Sequence, residues 1–278
     1  MTAPTVADHY APGDLTAAVL GALRAAGKDL DHLTPTDLAP LDQYHIGGIG
    51  TTRDLARLAG IGDGMRVLDV GGGIGGPARL LADEFGANVT VLDLTAEYCR
   101  VGAMLTERTG LTERVTFRQG DALDLPFGDG QFDLVWTQHS SMNIEDKGRL
   151  YGEIHRVLRP GGRLAILEAM AGPNQPIQFP VPWARDPAIS FLQTPAAVRA
   201  ILTGVGFQVT AWNDLTDTIR ANAARPAAPP PGANPASDPP PLGIHLLVGP
   251  EFPIMARNYA RNCAEGRVVV IQGILDRA

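Results

Sequence analysis

Val67-Leu-Asp-Val-Gly-Gly-Gly-Ile-Gly-Gly76 decides the reading of this chain. A short β-prone run, Arg66–Val70, meets glycines at 71, 72, 73, 75 and 76. Ala78, Leu81, Ala82 and Phe85 then recur at helical spacing until Gly86 stops the helix. Strand, glycine turn and helix open a doubly wound sheet, and a turn this bare lets a ligand approach the main chain closely.

The pattern repeats outward from there. Asn88–Asp93 reads as the next strand, and Thr95 caps a helix carrying Tyr98, Val101 and Leu105 on one face. Arg114–Gln119 and Phe132–Gln138 are the third and fourth strands. Leu150, Ile154, Val157 and Leu158 form a helical stripe, and Arg159-Pro-Gly-Gly162 turns into a fifth strand, Arg163–Glu168. Strands alternating with helices argue for a parallel sheet covered on both faces. The last third adds a helix from Thr194-Pro195, a strand at Gln208–Trp212, a helix near Pro253–Cys263 and a β-prone run, Arg267–Leu275. Upstream, Asp14 caps a helix through Leu15, Val19, Leu20 and Leu23, and Thr51–Leu58 is another, ended by Gly60. The expected architecture is therefore an α/β, doubly wound domain over residues 61–278, preceded by a helical extension, residues 1–60. A Pro-containing segment near 171–193 is expected to cover the substrate, and eight prolines in 226–241 mark a loop near 225–242 that has no means of building a core.

Composition narrows the function. At 278 residues and 45% hydrophobic content the chain can bury a sizeable core, yet its longest apolar runs fall well short of the roughly 20 residues needed to span a bilayer. The first residues lack the basic start and apolar stretch of a signal peptide, so a cytoplasmic location is expected. A net charge of −7 without Lys/Arg clusters argues against nucleic acid. Cys99 and Cys263 show no CxxC spacing. The six histidines (His9, His32, His45, His139, His155, His245) form no ligand pair, so no metal site is expected. A monomer or homodimer is expected.

The glycine spacing admits two ligands. Gly71, Gly73 and Gly76 satisfy GxGxxG, the dinucleotide pattern; Gly71, Gly73 and Gly75 satisfy GxGxG, the pattern of folds that bind S-adenosylmethionine (SAM). Three carboxylates bear on the choice. Asp69 precedes the first glycine by two residues; it can take the cationic end of an amino-acid ligand and would repel a diphosphate. Asp93 ends the second strand, where ribose hydroxyls are held in both kinds of fold. Asp121, in Gly120-Asp-Ala122, can accept from an adenine amino group while the next N–H meets a ring nitrogen.

As a set, VLDVGGGIGGPARLLA, VTVLDLT, GDALDLPF, FDLVWTQHSSMNI and EIHRVLRPGGRLAILE resemble the successive motifs of a class I SAM-dependent methyltransferase over residues 65–170. The resemblance implies a Rossmann-like seven-stranded sheet whose last strand runs antiparallel between the fifth and sixth, a role that suits residues 267–275. It also implies SAM as cofactor, with Gly71 and Gly73 close to it and Leu94 and Tyr98 beside Asp93 and the adenine. Asp121 and Ala122 would then meet the adenine edge, and Gln138 would lie near the methionine part. Leu41-Asp-Gln-Tyr-His-Ile-Gly-Gly48 is similar to the N-terminal cap of sarcosine/dimethylglycine N-methyltransferases, which makes Tyr44 and His45 the lid contacts.

His139, where the fourth strand opens, is the candidate general base. Related phosphoethanolamine methyltransferases carry a catalytic His four residues further on; Asn143 stands there in this chain and can orient a substrate but take no proton. Phe179 and Trp183 are candidate walls of the acceptor site, and Arg185 a candidate partner for an acceptor carboxylate. The expected reaction is methyl transfer from SAM to a small-molecule acceptor, N-methylation of an amine such as a glycine derivative being favoured. The alternatives are O- or C-methylation of a hydrophobic natural product, an NAD-dependent oxidoreductase, and a non-catalytic SAM-binding protein.

Overall fold

A computed structural model describes Val6 and residues 14–45, 47–223 and 242–278. The proline-rich loop expected near 225–242 lies almost wholly outside the described residues. Three N-terminal helices come first: α1 (Leu15–Ala25), α2 (Pro35–Asp42) and α3 (Gly48–Ala59). The sheet region follows as β1 (Arg66–Val70), α4 (Gly76–Phe85), β2 (Asn88–Asp93), α5 (Ala96–Arg108), β3 (Val115–Gln119), β4 (Phe132–Gln138), α6 (Lys147–Val157) and β5 (Leu158–Ala171). The chain closes with α7 (Pro195–Gly204), β6 (Phe207–Asp214), α8 (Thr216–Ala223), α9 (His245–Val248), α10 (Phe252–Ala264) and β7 (Val268–Arg277).

The seven strands form one sheet in the order β3-β2-β1-β4-β5-β7-β6. β1 pairs in parallel with both β2 and β4, so its C-terminal end sits where the winding direction reverses, the place where open α/β sheets bind ligands. β7 is antiparallel to both β5 and β6, as the family resemblance implied. Both faces of the sheet are covered. Val67, Leu134 and Ala165 pack under α3, α4 and α10 on one side; Leu68, Val135 and Ile166 pack under α6 and α7 on the other. This double burial explains why the inner strands read as unbroken apolar runs.

Two glycines of the first turn are fixed by geometry. Gly71 has φ +73°, and a Cβ there would stand 2.5 Å from the Ser140 Cβ. Gly75, at φ +82°, caps α4, and a Cβ there would meet the Phe117 ring at 2.5 Å. Close approach of backbone to neighbouring elements, as well as to a ligand, therefore demands this composition.

Some expectations shift. The Arg159–Gly162 turn is absorbed into a longer β5, where the register against β4 slips between Phe132 and Leu134. α2 was not expected. Its start carries a reciprocal capping box between Thr34 and Asp37, with Lys28 donating to Asp37 at 2.7 Å. α8 was not expected either; eight residues with one buried apolar residue, Ile219, give little periodic signal. The N-terminal helices do not stand apart. Leu15, Val19, Leu23, Leu38 and Leu41 share a core cluster with Val101 and Leu105 of α5 and Leu247 of α9. Among the described residues no helix is long and apolar enough to cross a membrane, and no cluster of His, Cys, Asp and Glu could hold a metal ion. Cys99 and Cys263 are free thiols.

Candidate active site

A groove of about 390 Å3 opens at the C-terminal ends of β1, β2 and β4. The topological switch point places it there, and the glycine turn forms its floor. Asp69, Gly71, Gly73, Asp93, Leu94, Tyr98, Asp121, Ala122 and Gln138 all line it, as do Tyr44, His139 and Asn143. Most of these residues meet because they end or follow strands of the same sheet edge, and Tyr44 reaches it from the segment between α2 and α3.

The electrostatics centre on two carboxylates. Asp93 accepts the Gly73 N–H on Oδ2 at 2.9 Å and the Thr95 N–H on Oδ1 at 2.8 Å. Burial pushes its carboxyl upward, against the lowering effect of those two N–H donors. Asp69 is fully buried, and its Oδ2 has no hydrogen-bond partner. Burial first, and the field of Asp93 second, push it up to about 8. A cation drawn against these two carboxyls would favour their ionised forms and bring both pKa values back down. Asp121 is more open; its Oδ1 accepts the Leu123 N–H at 2.8 Å, which fixes the turn after β3. Leu94 stays 47% exposed at the rim, while Tyr98 is buried and donates to the Leu247 carbonyl at 3.2 Å.

His139 sits at φ +53° in the left-handed region, with its N–H on the Leu167 carbonyl at 2.8 Å. The residue is half-buried, and its buried Nε2 has no hydrogen-bond partner. Burial, then the nearby His45, pull its pKa down to about 3, so the imidazole is neutral at ordinary pH. The two rings lie parallel, 6.4 Å apart at their centroids and 5° off plane. His45 also contacts Gln43 Oε1 and Thr52 Oγ1 through Nε2, each at 2.9 Å. Gln138 lies against the same group: its Oε1 accepts from Trp136 at 3.1 Å and its Nε2 donates to Thr52 at 3.4 Å. Tyr44 donates its hydroxyl to the Pro182 carbonyl at 2.5 Å, tying the N-terminal segment to the 171–193 stretch.

The remaining site candidates divide. Asn143 donates through Nδ2 to the Trp183 and Ile189 carbonyls, both at 2.8 Å, and so braces that stretch. Trp183 is buried, donates to Ser190 Oγ at 3.0 Å, and lines a second, apolar cavity behind Tyr44 and His139. Phe179 packs against the core beneath the sheet, away from both cavities. Arg185 pairs with Glu251 at 3.1 Å and donates to the Val248 carbonyl at 3.1 Å, likewise outside both linings.

Two structural groups at the site escaped the sequence reading. Asp42 lines the groove and pairs with Arg79 across 2.8 Å. Lys147 donates to the Ser141, Ile144 and Phe191 carbonyls at 2.7, 2.6 and 3.0 Å, closing the turn after β4. Burial brings its ammonium down to about 8. A lone Asp and a lone Lys carry no motif; the one signal was Asp42 standing inside the quoted LDQYHIGG stretch.

Residues 68–166 match the sequence family described as "Methyltransferase domain". That stretch matches as a methyltransferase domain. The match runs from β1 into β5 and so contains the groove's glycines, Asp93, Asp121 and His139. Around the domain the chain is similar to "Methyltransferase phqN" of Penicillium fellutanum, 35% identical over 167 residues, covering 58% of this chain and 51% of that protein. It is also similar to glycine/sarcosine/dimethylglycine N-methyltransferase of Actinopolyspora halophila, 32% identical over 176 residues, covering 62% of this chain and 31% of that protein. The chain spans about half the length of the first of these relatives and about a third of the second. Among solved structures, phosphoethanolamine N-methyltransferase 2 of Haemonchus contortus, bound to phosphomonomethylethanolamine and S-adenosylhomocysteine, superposes with a TM-score of 0.68 at 19% identity. That alignment covers 99% of this chain and 61% of the other. It extends the methyltransferase fold from the domain to nearly the whole chain.

Proposed function

We propose that the chain binds SAM in the groove and catalyses methyl transfer to a small-molecule acceptor by in-line displacement. The observation that carries this reading is the pair of buried carboxyls, Asp69 and Asp93, beneath a bare glycine turn at the switch point of a methyltransferase domain. The donor set fits the cofactor: Asp69 has an unpartnered oxygen for an ammonium, Asp93 is placed for ribose hydroxyls, and Asp121 and the Ala122 N–H for an adenine edge. An NAD-dependent reading is disfavoured because the matched domain and the similar proteins are methyltransferases.

When bound, SAM supplies a methyl already activated on a sulfonium. The chain's own task is to position and to exclude water, and positioning alone lowers such barriers by on the order of 7–11 kcal/mol. Gly71 and Gly73 leave room along the main chain, with Leu94 and Tyr98 flanking the adenine side and Gln138 the methionine side. Tyr44 closes the groove from the N-terminal segment, while His45, expected beside it, lines the second cavity instead. His139, neutral and at the junction of the two cavities, is the residue placed to accept the proton an O–H or N–H acceptor gives up.

N-methylation of a glycine derivative rests on the kinship with the Actinopolyspora halophila enzyme. Arg185, the expected carboxylate partner, lends it no support, because it pairs with Glu251 outside both cavities. The deciding experiment is a thermal-shift and calorimetric comparison of SAM with NADH, followed by S-adenosylhomocysteine release across amine, phenol and carboxylate acceptors. Stabilisation by SAM and not NADH, with turnover of at least one acceptor, is the expected result. Stabilisation by NADH alone would overturn the reading, and SAM binding with no turnover of any acceptor would leave a binding protein.

A further inference from the structure

Behind the wall of the groove lies a second cavity, about 580 Å3 in volume. Tyr44 and His139 line both spaces. Its other walls come from α8, α9's N-terminal flank and α10, elements outside the matched domain: Ile219, Ile244, Phe252, Ala256 and Tyr259, with Trp183 and Met142 opposite. Trp183 and Tyr259 meet edge to face, 5.3 Å between centroids, which fixes the shape of one end.

Several polar groups of this wall are engaged by the protein, while the Tyr259 hydroxyl and the His139 Nε2 are buried without a hydrogen-bond partner and are open to the hydroxyl of an uncharged acceptor. Trp183 donates its Nε1–H to Ser190. Arg220, the cation of the lining, donates its Nε–H to the Cys263 carbonyl at 2.7 Å and pairs with Asp217 at 3.0 Å. Pro182 offers its carbonyl to Tyr44. Among the described residues no carboxylate lines the cavity. The ammonium of a zwitterion placed here would give up hydration without a partner charge, and its carboxylate would meet only an Arg220 already held by Asp217 and the Cys263 carbonyl, a cost of several kcal/mol per unpaired ion. An apolar molecule would instead exchange water for aromatic and aliphatic wall, and a volume of this size suits a drug-sized ligand.

We infer that this cavity is the acceptor chamber and that the acceptor is an uncharged, predominantly apolar molecule bearing a nucleophilic hydroxyl or carbon. It presents its reacting end at the Tyr44–His139 neck. The inference rests on the function proposed above and names the acceptor class for that same site. For a hydroxyl acceptor the balance is simple: the acceptor oxygen gains the methyl carbon, the sulfur keeps the electrons of the broken S–C bond, and the hydroxyl proton leaves to a base. Substrate choice then lies with α8 and α10.

The test uses the full chain loaded with S-adenosylhomocysteine and the uncharged probe N-phenyl-1-naphthylamine, whose fluorescence rises in apolar surroundings. One probe per chain is expected, displaced by 4-octylphenol and not by sarcosine. Ala256→Trp, which fills the chamber, should weaken the probe at least tenfold while leaving the SAM-induced thermal shift intact; Ala256→Phe serves if the larger variant does not fold. Absence of probe binding to the natural chain, displacement by sarcosine, or an unchanged probe affinity in a folded variant would each overturn the chamber assignment and leave SAM binding standing. Loss of the SAM shift in the natural chain would instead remove the function on which it rests.

Discussion

Arg79 of α4 donates to Asp42 at the end of α2 across 2.8 Å, and both side chains are sealed from water. The same guanidinium donates to the Thr106 hydroxyl at 3.1 Å and the Gly102 carbonyl at 3.3 Å of α5. One cation thus joins three helices around the glycine turn, and its carboxylate partner lines the groove. Removing one partner of such a pair costs about 3–5 kcal/mol, because the other is left charged in a dry interior. Arg79→Leu and Asp42→Leu should each lower the urea midpoint by that measure. The double variant should recover part of the loss. Single variants with unchanged midpoints would show that the pair is dispensable.

Asp93 carries a load on both sides. It orders the turn through Gly73 and Thr95, and it faces the groove. Asp93→Ala should weaken SAM at least tenfold, about 1.4 kcal/mol, by calorimetry. Unchanged affinity would place the cofactor elsewhere.

Asp69 ties cofactor binding to pH. Its carboxyl is raised from 3.8 to about 8, so in the ligand-free protein the native state holds a proton that the unfolded chain releases. The stability this confers is complete below the unfolded value and is lost as pH rises through about 8. A cation bound against Asp69 favours its ionised form, so SAM binding at pH 7 should release a proton. Calorimetry in buffers of different ionisation enthalpy reads that release. Asp69→Asn should abolish it, weaken SAM, and flatten the fall in melting temperature between pH 5 and 8.

His139 makes two separable contributions. Its φ of +53° costs an alanine roughly 1 kcal/mol that a glycine does not incur, so His139→Gly should be the more stable of the two variants by chemical denaturation. If the imidazole accepts the acceptor's proton, both variants lose turnover alike and keep SAM affinity. With its pKa near 3, the natural enzyme should show no acid limb from His139 above pH 5. A limb near 6.5 in kcat, absent from His139→Gly, would contradict the neutral ring.

The sheet was readable because its strands obey local rules. β1, β2 and β4 match their expected spans residue for residue, since each is a β-prone run closed by a glycine or a turn. The groove followed, as Asp69, Asp93 and Asp121 stand at or just beyond strand ends. What local pattern does not encode is how loops fold back over the sheet. Arg185 looked free to bind an acceptor, yet Glu251, 66 residues on, pairs with it. Asn143 looked like a substrate contact and carries two backbone carbonyls. The second cavity was invisible for the same reason: α8 gave no periodic signal, and α10 read as an ordinary amphipathic helix.

The place of β7 has a consequence for how the molecule comes into being. β6 bonds to the sheet only through β7, and α8 and α10 are both packed on that strand. The outer wall of the second cavity therefore has no scaffold until β7 slots between β5 and β6. A tag or fusion that crowds residues 268–277 would then yield a protein able to hold its cofactor and unable to choose its substrate.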